Sequence, residues 1–130
     1  MPNPTVWATI RCKDTHLVID FLTTTFGFHE QLVVANETGD GEAHSQLRWP
    51  GGGGVRLGDE TPDNPAHREL PNGSSSVYVV TDQPDELHRR AVESGGNIIR
   101  GLTDEDYGSR GFTVTDPEGS VWSFGTCAGA

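Results

Sequence analysis

The sequence predicts an α+β chain of two βαβββ modules forming a curved mixed sheet, with helices on the outer face and a central cleft. Three observations predict it. The order strand, amphipathic helix, strands occurs twice, with Asp14 and Asp82 at matching strand-to-helix turns. A stretch without periodicity, residues 59–76, rich in Pro, Asn, Asp, Gly and Ser, separates the two halves. The run Asp116-Pro117-Glu118-Gly119 sits between an alternating segment and Val121-Trp122-Ser123-Phe124, which is a hairpin signature: Pro presets φ for a turn and Gly accepts positive φ. The 130 residues fit one domain (1–130), with module one at 4–58, a linker at 59–74 and module two at 75–126. Each module is too small to bury its own sheet, and pairing the two leaves a concave surface between them.

Residues 5–12 alternate, with Val6, Ala8, Ile10 and Cys12 on one face and Trp7, Thr9 and Arg11 on the other, the period of a strand packed on a helix. That helix follows at once. Asp14 or Thr15 caps it, Leu17, Val18, Phe21 and Leu22 form its apolar stripe, His16 takes its exposed side and Gly27 ends it. Residues 28–35 and 43–49 read as strands around a turn at 36–41, and Val55-Arg56-Leu57 as a short fourth strand. The run Gly51 to Gly54 invites a phosphate-loop reading, but no G-K-[ST] follows and no helix starts there, so it is taken as a flexible hairpin loop. The second half repeats the order: a strand at 75–81, a helix at 84–94 with Asp82 as cap and Leu87, Ala91 and Val92 inward, a strand at 97–100, and a closing hairpin of 107–115 and 120–125.

With 19 acidic against 9 basic side chains the formal charge is −10. That argues against nucleic acid and anionic membranes as partners, because phosphate contacts depend on Lys and Arg. It favours a cationic guest, although acidity also serves solubility alone. Met1-Pro2-Asn3-Pro4 holds no apolar signal region and no run approaches the roughly 20 apolar residues of a membrane span, so a cytoplasmic protein is expected. Cys12 and Cys127 lack metal-ligand spacing and read as free thiols, Cys12 in the core and Cys127 in a fraying tail. No G-x-S-x-G elbow and no Cys–His pair is present, and Asp104-Glu105-Asp106 is most simply a solvated turn. His29, His44, His67 and His88 lie on different elements with no i, i+4 pairing and read as solvated or satisfied rather than ligating. His44 stands apart from them because it begins a strand that lines the cleft.

The run from Asp116 to Phe124 resembles the closing hairpin of the glyoxalase, bleomycin-resistance and extradiol-dioxygenase superfamily, the vicinal oxygen chelate proteins. Arg11-Cys12-Lys13-Asp14 before a helix ending Thr25-Phe26-Gly27-Phe28, and Val79-Val80-Thr81-Asp82 before a helix ending Ser94-Gly95-Gly96, are similar to that family's module openings. The resemblance covers nearly the whole chain. It implies a cleft formed within one chain or between the chains of a homodimer, and in the enzymes a divalent metal held by His on the opening strands and Glu on the closing ones. Aligned with that pattern, the four positions carry Trp7, Ser75, Leu57 (Arg56 one register away) and Ser123. An indole, a leucine or guanidinium and two hydroxyls do not make the shell that Zn, Fe, Mn or Ni requires, so no metal and no cofactor is expected.

By parity the cleft is lined by Trp7, Thr9 and Arg11, by Val55 and Leu57, by Ser75, Val77 and Val79, and by Val121 and Ser123, with Trp122 and Phe124 pointing into the core. Trp49, Tyr107, Arg110, Phe112 and His44 stand near strand ends and add to the walls, although each aromatic is as readily core or dimer-interface packing. An apolar, aromatic trough suits a planar ligand. The expectation is a metal-independent small-molecule binding protein, similar to bleomycin-resistance members that sequester a cationic aromatic drug in an acidic dimer. The balance falls against an enzyme. Two alternatives remain: a metal-dependent glyoxalase- or dioxygenase-type enzyme, lyase or oxidoreductase, with non-standard ligands, and a dimeric module acting only through a partner.

Overall fold

Ile10 and Cys12 alternate with Thr9 and Arg11 along β1 (Ala8–Cys12), and this alternation decides which face of the first sheet is buried: Ile10 and Cys12 are 1 % exposed. The computed structural model describes residues 6–35, 42–59, 75–106 and 108–127. The turn expected at 36–41 and the linker expected at 59–74, apart from Asp59, lie outside them.

Helix α1 (Thr15–Phe26) starts where the Asp14 carboxylate accepts the Leu17 N–H at 3.2 Å, and it ends at Gly27, whose φ of 84° lets the Phe28 N–H donate back to the Leu22 carbonyl. Its buried stripe runs through Val18, Leu22 and Phe26 with Thr15, Ile19 and Thr25 beside it. Leu17, expected on that stripe, is 47 % exposed, because it lies about 100° round the helix from Val18. Three strands complete the unit: β2 (His29–Ala35), β3 (Glu42–Arg48) and β4 (Gly54–Asp59). The sheet order is β1-β4-β3-β2, with β1 parallel to β4 and the other pairs antiparallel.

The second unit repeats this as β5 (Ser76–Val80), α2 (Pro84–Glu93), β6 (Asn97–Asp104), β7 (Arg110–Thr115) and β8 (Val121–Gly125), in the order β5-β8-β7-β6 with β5 parallel to β8. The N-cap of α2 is Gln83, not the expected Asp82, and no side chain caps it. Pro84 at the helix start and Asp85 and Glu86 in the first turn suit that end instead. Leu87 and Ala91 are buried as expected, whereas Val92 faces solvent at 54 %. The described residues are thus α+β, with two helices and eight strands in two mixed four-stranded sheets.

The β7–β8 turn is organised by Asp116. Its buried carboxylate accepts from the Glu118 N–H (2.9 Å), the Ser120 N–H (3.1 Å) and the indole Nε1 of the fully buried Trp122 (3.0 Å). Beside it, Glu118 accepts from the backbone N–H groups of Lys13 and Asp14, both at 2.7 Å, tying the last hairpin to the start of α1.

The helix-side faces of both sheets share one core. Phe26 meets Phe124 at 4.3 Å between ring centroids, Phe28 meets Trp122 at 5.7 Å edge-on, and α1 packs on α2. Each such large apolar side chain contributes about 1.5–3 kcal/mol by leaving water. The opposite faces of the two sheets remain partly or fully exposed among the described residues. Among those residues no helix is long and apolar enough to cross a membrane.

Candidate functional site

Strand register decides which of the expected residues share a surface. In the first sheet Thr9 stands opposite Arg56, Arg56 opposite Gln46, and Gly54 opposite Arg48. The face turned from α1 therefore carries Thr9, Arg11, Gln46, Arg48 and Arg56, with Trp7 just before β1 on the same parity. Trp7, Thr9 and Arg11 stand where the alternation placed them, each partly exposed. Leu57 does not. It lies opposite Ile10, is 1 % exposed and packs with Val55 on the helix side. In Val-Arg-Leu the two apolar side chains gain by burial, which leaves the guanidinium on the open face.

On the second sheet the expected parity of β5 is reversed. Val77 and Val79 face the core opposite Trp122 and Phe124, while Ser76, Tyr78 and Val80 share the open face with Ser123. The cause is the cap: the residue equivalent to Asp14 is Gln83 rather than Asp82, so everything on β5 shifts by one and Ser76 replaces Ser75 as the counterpart of Trp7. Ser75, just ahead of the strand, accepts the Val121 N–H through its carbonyl. Ser123 bonds the Thr113 hydroxyl at 3.1 Å on the open face. Phe112 is core, 2 % exposed and stacked on Phe124 at 5.3 Å, not a cleft wall. Arg110 is held at the start of α2 by Asp85 (2.8 Å) and at the end of β6 by Asp104 (3.1 Å), away from the open face. His44 sits on β3 with Val34 as its partner in register, and Tyr107 lies outside the described residues.

Trp49 marks the place where the modules meet. Its indole packs on Phe28 at 5.0 Å and Phe124 at 6.3 Å, and its Nε1–H crosses to the Val80 carbonyl at 3.1 Å. A cavity of about 660 Å³ opens there, walled by Phe28, Trp49, Val77 and Val79 from the core, Tyr78 from β5 and the glycine turn. Trp49, Val55, Val77 and Val79 are the expected cleft residues that it brings together.

The glycines have separate reasons. Gly52 and Gly53 adopt φ of 114° and 80°, closing a turn in which the Gly52 N–H donates to the Trp49 carbonyl and the Trp49 N–H to that of Gly53. Gly54 is forced by contact: a β-carbon there would lie 2.2 Å from the Leu47 carbonyl oxygen and 2.9 Å from Trp7 Cζ3. Gly54 thus both lines the cavity and carries the Trp7 ring, with the Arg48 guanidinium carbon 5.9 Å from the centre of that ring. Arg48 and Tyr78 were not singled out from the sequence, and Gly54 only as part of a loop; the signal for the first was its parity with Gln46 on β3.

The local charge opposes the overall one. Arg89, Arg90, Arg100 and Arg110 on the second unit all pair with carboxylates. Arg11 and Arg48 pair with none among the described residues, and Arg48 Nε is buried without an acceptor. A donor left so costs about 1–3 kcal/mol. Partial burial, then the Arg56 charge, pulls the Arg11 guanidinium below its usual range. The described part of this face is thus cationic, although the chain as a whole carries −10.

The register-corrected quartet is Trp7, Arg56, Ser76 and Ser123, and its indole, guanidinium and hydroxyls do not fit a Zn, Fe, Mn or Ni ion. Among the described residues no group of three or more His, Cys, Asp or Glu converges to hold an ion.

The family model for the Glyoxalase/Bleomycin resistance protein/Dioxygenase superfamily matches residues 5–124. An uncharacterised protein of Mycobacterium bovis is 28% identical over 121 residues, covering 85% of this chain and 79% of that protein. Among solved structures, TioX from Micromonospora sp. ML1 is 25% identical over 95% of this chain and 98% of its own, with a TM-score of 0.74. TnmS3, described as an antibiotic binding protein from Streptomyces sp. CB03234, is 23% identical over 95% of this chain and 96% of its own, with a TM-score of 0.73.

Proposed function

The chain belongs to the glyoxalase/bleomycin resistance protein/dioxygenase superfamily, and from that premise we propose that it is a metal-independent protein that binds a planar aromatic small molecule. The observation that carries this reading is the cavity of about 660 Å³ at the module seam, walled by Phe28, Trp49 and Tyr78. That volume lies within the range of small-molecule pockets, and aromatic walls with few polar groups favour a flat apolar guest through burial and stacking. TnmS3 shares the fold and is described as binding an antibiotic; an antibiotic-like guest is our extension of that to this chain. The quartet at the family's ligand positions supplies no Lewis acid, so the guest is held rather than transformed.

The working unit in this reading is a homodimer, because an open face on each sheet is left to be covered. Light scattering after size exclusion tests it, and a monomer at micromolar concentration would refute it. Binding is tested by tryptophan emission on titration with flat aromatic compounds, with cationic glycopeptide antibiotics as a contrasting set. Saturable quenching by at least one flat compound is expected, and silence across the panel would overturn the proposal. Stoichiometric Ni, Zn, Fe or Mn in protein purified without chelator would instead favour a lyase or oxidoreductase.

A further inference from the structure

We infer that the guest carries a negative charge, a carboxylate or phenolate on its planar ring, and that Arg48 and Arg11 on the open face of the first sheet receive it beside Trp7. This rests on the small-molecule reading above and specifies the chemistry of that guest.

The contrast between the two units is the starting point. The chain has 19 carboxylates against 9 basic side chains, so a guanidinium has abundant partners to recruit. All four described arginines of the second unit recruit them: Arg89 with Glu86 and Glu93, Arg90 with Glu86, Arg100 with Glu105, and Arg110 with Asp85 and Asp104. Arg48 and Arg11 reach none among the described residues. They are also not simply solvated. Arg48 lies against the Trp7 ring with its Nε buried and lacking an acceptor. Arg11 is partly desolvated and feels the like charge of Arg56, whose place opposite Thr9 puts it beside Arg11 on the same face.

Two guanidinium groups held in partly dry surroundings, one with an unmet donor, are a receptor for an acceptor that the described chain does not provide. A carboxylate or phenolate meets each requirement. It pairs with the exposed part of the Arg48 and Arg11 guanidinium groups, and it relieves the repulsion between Arg11 and Arg56. The ring bearing it lies on the Trp7 indole, which sits beside Gly54, one of the residues lining the seam cavity. The one carboxylate lining the cavity, Asp82, belongs to the turn before α2 rather than to this face.

The test uses three compounds with one ring and different charge: 2-naphthoate, 2-naphthamide and 2-naphthylmethylammonium, titrated by calorimetry into the full chain at low salt. The naphthoate is expected to bind at least about tenfold more tightly than the amide, with the ammonium compound weakest. Raising salt should narrow the gap between naphthoate and amide, a readout that needs no variant. Arg48→Gln and Arg11→Gln should each remove most of the preference, Arg48→Lys should keep part of it, and Arg89→Gln on α2 should leave it unchanged. If the ammonium compound binds as tightly as the naphthoate, or if the preference survives both glutamine variants in folded protein, the inference fails while the small-molecule reading stands. If none of the three produces heat or quenching, both fail together.

Discussion

Replacing Asp116 by Ala removes the acceptor around which the last hairpin turns. Its Oδ1 takes the N–H groups of Glu118 (2.9 Å) and Ser120 (3.1 Å), and its Oδ2 takes Trp122 Nε1 (3.0 Å). Bonds to a charged acceptor contribute about 1.5–3 kcal/mol each when partner and surroundings are buried. The Glu118 amide can turn to water after the substitution, so its share is smaller, about 1 kcal/mol. The Ser120 amide and the Trp122 indole cannot, because both residues are fully buried, and each orphaned N–H costs about 1–3 kcal/mol. The sum is at least about 3 kcal/mol, a large fraction of the stability of a domain of this size. Urea unfolding at fixed protein concentration, followed by circular dichroism, measures it. The indole's share is isolated by a cycle with Trp122→Phe, which deletes the donor: the double variant should be less destabilised than the sum of the singles by about 1–2 kcal/mol. Additivity within about 0.5 kcal/mol would show that the Asp116–Trp122 bond contributes nothing, and the account of the hairpin would be wrong.

Three further outcomes follow from the same structure. Gly54→Ala places a methyl 2.2 Å from the Leu47 carbonyl oxygen and 2.9 Å from Trp7, so a loss of about 1–3 kcal/mol is expected, with a changed Trp7 environment in near-ultraviolet dichroism; an unchanged melting temperature contradicts it. Ser45→Ala should be neutral or stabilising by about 1 kcal/mol, since the Ser45 hydroxyl is buried with no partner among the described residues; a loss above that size reveals a bond to the hydroxyl. The Arg110 hydrogen bond holds the Asp85 carboxyl below its ordinary range. A depressed folded value means that this contribution is fully present above the ordinary Asp range near about 4 and is lost as pH falls through the folded value. Arg110→Gln should therefore lower stability at pH 7 and flatten the acid limb, the two profiles converging well below about pH 4; identical acid limbs would refute the pairing.

Local chemistry was readable wherever one residue type carried one task. Asp14 and Gly27 bound α1 because a carboxylate accepts an N-terminal amide and glycine takes a positive φ, and Asp116-Pro117-Glu118-Gly119 turns for like reasons. On β1 the apolar and polar residues separate, so Trp7, Thr9 and Arg11 were placed correctly. On β5 they do not: Val77 and Val79 on one parity, Tyr78 and Val80 on the other, give no sign of the buried face, and the choice of Asp82 as cap tipped the register the wrong way. Leu57 was misplaced by matching it to a family position rather than to the helix it covers. Contacts between distant segments left no trace in the sequence. The Trp49 bond to Val80, and the arginines of β1, β3 and β4, are neighbours only through strand order, and the net charge concealed a local one of opposite sign.

The grip of Glu118 on two successive amides, 105 and 104 residues earlier in the chain, has a consequence for how the molecule is made. The clasp at the head of the first helix becomes available only after a further 105 residues have been synthesised, so the first unit waits until then for that fastening. Because main-chain hydrogens are held and not side chains, Lys13 is replaceable by any residue except proline, which has no hydrogen to give.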